Sequence, residues 1–79
     1  MPSRDPLIIG LGDAIRDLRA ERQFSQEQLS LDSGVHRNYI GGIERAERRP
    51  TLATVARLAT TLGVTPSELV ARAERRVAR

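Results

Sequence analysis

His36, Arg37 and Asn38 follow one another just after Gly34 and Val35. Each carries hydrogen-bonding groups at the tip of its side chain. A guanidinium is a planar fork that donates two parallel bonds, and a carboxamide offers a donor beside an acceptor. The first pattern matches the major-groove edge of guanine and the second that of adenine. Other chemistries find little support. The chain has no cysteine and one histidine, so a metal site would lack its ligands. No cofactor is expected. Glu44 and Glu47 lie among Arg45, Arg48 and Arg49. They read as local salt bridges that orient those arginines, because paired carboxylates for acid–base work need a pocket. One Phe and one Tyr hardly supply one. With no strand pattern there is no glycine-rich phosphate loop after a strand. The expectation is a protein without enzymatic activity.

The elements that must position these residues read as five helices and no strands, in one domain over 7–76. The expected spans are 7–22, 25–33, 36–45, 51–62 and 65–76. Leu7, Leu11, Ala14 and Leu18 recur at helical spacing. Gly10 and Gly12 weaken the first turns by up to about 1 kcal/mol each. Ser25 starts the second helix, with Gln28 placed to reach back as its capping-box partner. Gly34 ends it in the left-handed conformation. Val35, Tyr39, Ile40 and Ile43 then share one face of a third helix, with His36, Arg37, Asn38, Gly41 and Arg45 opposite. Gly41 and Gly42 are poor helix formers, for which close approach to DNA or a neighbouring helix would compensate. Thr51 caps a fourth helix and Thr65-Pro66-Ser67-Glu68 opens a fifth. Residues 1–6 are expected to be a disordered lead-in and 77–79 a frayed tail.

Two short helices joined at Gly34 are a helix-turn-helix pattern. Leu29, Val35, Ile40 and Ile43 would hold the second helix against the first and free its outer face for a major groove. Charge agrees. All 13 basic residues are arginine, and from His36 to Arg49 four arginines meet two acids. The same excess recurs from Glu68 to Arg79. Such a concentration suits phosphate binding. No apolar run approaches the roughly 20 residues of a membrane span, and the start lacks a signal-peptide profile. A soluble, cytoplasmic protein is expected.

Gln26-Glu27-Gln28-Leu29, Ser33-Gly34-Val35, Tyr39 through Arg45, Pro50-Thr51-Leu52 and Leu62-Gly63-Val64 together resemble the Cro/C1-type, or xenobiotic-response-element, helix-turn-helix family. Within it, Arg37 to Arg45 looks most like the short regulators that include restriction–modification controller proteins. The resemblance implies a five-helix, phage-repressor-like, all-α DNA-binding domain. It implies that Gln26, Tyr39, Arg45 and Arg48 meet phosphates and that His36, Arg37 and Asn38 read bases. His36 could equally be a plain solvated residue, and Tyr39 could simply pack. Gly41 stands where relatives often place a serine or another base-contacting side chain. Ser30 stands where they often have a buried alanine. Arg48 stands where some have a glycine followed by a basic residue, which leaves the loop register open.

Leu62, Val64, Leu69 and Val70 are expected to supply a homodimer interface, with Arg72, Arg75, Arg76 and Arg79 solubilising that helix. A two-fold dimer would set two recognition helices about 34 Å apart, one turn of double-stranded DNA. No small-molecule effector domain is expected, so control would run through the monomer–dimer equilibrium. A rival reading is an antitoxin-like module that binds a partner protein.

Overall fold

The structure, a computed structural model, describes residues 2–78. Five helices follow in order: α1 (Pro6–Arg22), α2 (Gln26–Ser33), α3 (Arg37–Glu44), α4 (Leu52–Thr61) and α5 (Pro66–Val77). No strand occurs among the described residues, and none of their helices is long and apolar enough to cross a membrane. α1 lies mainly against α5 and also touches α3, while α2 packs on α3 and α4.

Local signals place the boundaries. Asp5 caps α1, its carboxylate accepting the Leu7 amide at 2.9 Å, and Pro6 takes the first helical position. The helix therefore starts one residue before the expected point, and Asp5 and Pro6 belong to its start rather than to a lead-in. Ser3 is also engaged, donating its backbone N–H to the Ala46 carbonyl. Ser25, Thr51 and Thr65 each accept an amide of the first turn they open. Gln28 departs from the expected capping box. Its carboxamide reaches forward to Asp32, 3.0 Å away, so only the Ser25 half of that exchange forms.

The core draws Ile15 and Leu18 from α1, Leu29 from α2, Ile40 and Ile43 from α3, and Leu58 from α4, all fully buried. Leu62 and Leu69 are equally buried, at 0% exposure. Of the four residues expected at a dimer interface, these two therefore lie inside the single chain's own core. Leu62 follows Leu58 by four residues and Leu69 precedes Ala73 by four, so both extend buried stripes. A chain this short needs these leucines to close its own core. Val64 and Val70 remain half-buried and keep some surface.

Gly10 and Gly12 let α1 come close to its neighbours. A methyl at Gly12 would stand 2.5 Å from the Ile43 carbonyl oxygen and 2.8 Å from that of Glu44. One at Gly10 would strike the Ala73 carbonyl. The helix propensity lost at these positions is exchanged for contact with α3 and α5.

Two arginines of α5 are tied to α1. Arg72 donates to both Glu21 oxygens, at 2.8 and 3.3 Å, and Arg76 reaches Asp17 at 3.3 Å. They serve the α1–α5 contact more than solubility. The Arg72 hydrogen bond holds the Glu21 carboxyl below the usual carboxylate range. A depressed carboxyl stabilises the fold above its unfolded-state pKa, and that contribution disappears as pH falls through the folded value. Glu21→Gln is therefore expected to flatten the acid limb of a Tm–pH curve below about pH 4. Because Glu21 is solvated, the change should be small. Superimposable acid limbs in the two proteins would show that the pair contributes nothing.

Candidate nucleic-acid interface

The turn between α2 and α3 is tight for a physical reason. Gly34 adopts φ 75° and its N–H closes α2 on the Ser30 carbonyl. An L side chain rarely tolerates that backbone region. Val35 then turns inward, 6% exposed, and the Ser33 hydroxyl accepts its amide at 3.1 Å. Ser30 sits half-buried beside the turn, so the hydroxyl at this position is not sealed from water.

α3 is two-sided. Ile40 and Ile43 are fully buried beneath it, while His36, Arg37 and Asn38 stand exposed at its start. His36 is the N-cap, its Nδ1 accepting the Asn38 amide at 3.1 Å. The side chains of Arg37 and Asn38 engage no partner among the described residues, and with Gln26, Gly41 and Arg45 they line one shallow hollow. The three expected base readers thus share one helical turn, with two expected phosphate binders adjoining them.

The other two residues expected to meet phosphates form a second unit. The Arg48 guanidinium lies over the Tyr39 ring, 5.2 Å from its centroid, a favourable cation–π placement. Tyr39 is half-buried, and its hydroxyl donates to the Arg49 carbonyl at 3.2 Å. Gly42 makes room for this stack, since a methyl there would strike the Arg48 stem. Ala46 carries the turn out of α3 at φ 60°. It is therefore a residue at which glycine's freedom would serve.

Glu44 behaves differently from expectation. Its side chain is 4% exposed and ignores Arg45 and Arg48. It accepts the Arg19 Nε–H at 2.6 Å, an Arg19 Nη–H at 2.9 Å and the Gln26 carboxamide at 2.9 Å. Arg19 also donates to the Phe24 carbonyl at 3.0 Å. The hydrogen bonds to Glu44, with its charge, hold the Arg19 guanidinium above its ordinary pKa despite the opposing effect of burial. One carboxylate thereby joins α1, α2 and α3, and holds Gln26 at the edge of the hollow with its second N–H still available. Glu47 is the acid that pairs locally, accepting from Arg45 Nε at 2.9 Å. Sequence reasoning missed the Arg19–Glu44 link, since a separation of 25 residues falls outside any helical spacing rule.

A half-buried scaffold, a tight turn and an exposed helix start rich in hydrogen-bond donors define a helix-turn-helix domain. A helix-turn-helix family model matches residues 15–69, and the chain belongs to that family, in its Cro/C1-type branch. It is similar to the control protein C.SmaI of Serratia marcescens, 44% identical over 62 residues, or 78% of this chain and 74% of that one. Its fold is similar to that of the restriction-modification controller protein C.AhdI from Aeromonas hydrophila. That likeness has a TM-score of 0.76 and 40% identity, and covers 78% of this chain and 94% of the other. It is also similar to the controller protein C.Esp1396I, solved as a tetramer in complex with its natural 35 base-pair operator. Here the TM-score is 0.84 at 26% identity, over 92% of this chain and 96% of the other.

Proposed function

We propose that this protein is a sequence-specific transcriptional regulator that binds double-stranded operator DNA as a homodimer. The observation that carries the reading is the uncommitted pair Arg37 and Asn38, exposed at the start of a helix whose back is anchored by Ile40 and Ile43. The start of α3 enters the major groove. Arg37 places its fork on guanine and Asn38 its carboxamide on adenine. Gln26, Arg45 and the Tyr39–Arg48 stack flank this turn and meet the phosphates that fix its register. The chain acts by binding alone, in the cytoplasm, without catalysis. Val64 and Val70 contribute to the dimer face, and Leu62 and Leu69 support it from within the core. The likeness to C.SmaI and C.AhdI supports a narrower reading, in which the operator adjoins an endonuclease and methyltransferase gene pair.

Selection from a random DNA pool tests the reading, with Arg37→Ala beside the unaltered protein. The unaltered protein should enrich a palindrome with half-sites about one turn apart. Arg37→Ala should lose ~1–3 kcal/mol of preference at one base pair per half-site. Binding should weaken steeply with salt as condensed counterions are released. Weak, salt-sensitive binding that favours no sequence and ignores the substitution would overturn it.

A further inference from the structure

His36 has a task in the protein that limits what it can do outside it. Its Nδ1 accepts the Asn38 backbone N–H at 3.1 Å, and in that role it caps α3. A ring nitrogen that accepts a hydrogen bond carries no proton. A neutral imidazole has one N–H, so the proton must reside on Nε2. The residue is exposed, and no described group satisfies Nε2. The cap thus turns a side chain that could present either a donor or an acceptor into one that presents a donor only.

We infer that His36 is a specificity-determining residue whose Nε2–H donates to a purine N7 in the major groove. The inference rests on the DNA-binding reading above and deepens it. His36 immediately precedes Arg37 at the end of α3 that leads into the groove. A lone donor suits the N7 acceptor that guanine and adenine share, as it would the keto oxygens of guanine and thymine, and is refused by the amino group that cytosine presents. Placed on N7, His36 favours a purine at one position of each half-site, next to the base read by Arg37. Gly41, one turn further along the same face, has no side chain with which to add a preference, which leaves the first turn of α3 to set the motif.

His36→Ser separates the two roles. Serine caps a helix as well as any residue, so the fold and its melting temperature should persist, but its hydroxyl stops well short of the place of Nε2 and is engaged by the cap. Nitrogen-15 NMR of the free protein near pH 8 should show an unprotonated Nδ1 and a protonated Nε2. DNA selection with the unaltered protein should show a purine that becomes degenerate in His36→Ser. On the selected operator, 7-deaza substitution of that purine should weaken the unaltered protein about fivefold, the worth of one hydrogen bond. It should weaken His36→Ser no further. The opposite tautomer would overturn the inference. So would an equal deaza penalty in both proteins, or a loss in His36→Ser spread evenly over all sequences. If the unaltered protein selects no motif while the tautomer is as stated, the DNA reading itself fails and the role of His36 falls with it.

Discussion

Replacing Glu44 with alanine is expected to remove about 3–5 kcal/mol of stability. The carboxylate is 4% exposed and its partner Arg19 is 16% exposed. Alanine would leave a guanidinium in that setting with no opposite charge, and would free the Gln26 carboxamide as well. A domain of this size has roughly 4–12 kcal/mol in total, so much of the variant should be unfolded at 37 °C. Urea unfolding followed by circular dichroism measures the loss, and a change under about 1 kcal/mol, the range of surface pairs, would contradict the buried-pair account. A second variant distinguishes a lost attraction from a stranded charge. Arg19→Met with Glu44→Leu removes both charges and keeps apolar volume, and such exchanges are often neutral or stabilising. The double variant should fold again. It should still bind DNA more weakly than the unaltered protein, because nothing then holds Gln26 beside the hollow.

Alanine at Gly12 and alanine at Gly41 are expected to change stability in opposite directions. Either substitution gains up to about 1 kcal/mol of helix propensity. At Gly12 the new methyl meets the carbonyl oxygens of Ile43 and Glu44 at 2.5 and 2.8 Å. Both belong to the backbone of α3, so no rotamer change relieves the overlap and the helices must separate. Overpacking of that kind costs about 1–3 kcal/mol, and a shift of rigid backbone belongs at the upper end. The net effect should be a loss of about 2 kcal/mol. At Gly41 the nearest atom is Nη1 of Arg45 at 3.0 Å, the far end of an exposed, flexible side chain. That contact yields cheaply, and Gly41→Ala should melt at or above the unaltered protein. Calorimetry of the two variants side by side checks the signs. A stabilised Gly12→Ala would mean that α1 and α3 are not in the close contact described.

The Gly12 contact also bears on function. It fixes the height of α1 against the last turn of α3, and the Arg19–Glu44 pair fixes the same two helices a few residues further along. With its last turn held by both contacts, α3 would present Arg37 and Asn38 with little freedom, which on the proposed reading preserves affinity by limiting what must be ordered on binding. On the proposed reading, the DNA-binding surface therefore depends in part on residues that would never touch DNA.

Wherever the governing interaction is local, this protein was legible from its residues alone. Ser25, Thr51 and Thr65 open their helices because a side-chain oxygen and the amides it caps lie within three residues. Gly34 ends α2 because a left-handed turn needs no more than one residue without a Cβ. The period of Val35, Ile40 and Ile43 placed α3 on the core, and so placed Arg37 and Asn38 outside it. The features that only the tertiary structure decided all depend on distant partners. Leu62 and Leu69 carry the same apolar signal whether they face a second copy or their own core, and only the packing of α4 and α5 turned them inward. Gly10 and Gly12 lower helix propensity in isolation, and the approach of α3 and α5 gives them their purpose. Glu44 has arginines one and four residues away, yet its partner is Arg19, because burial favours the fork that can satisfy both of its oxygens over exposed arginines that water already satisfies.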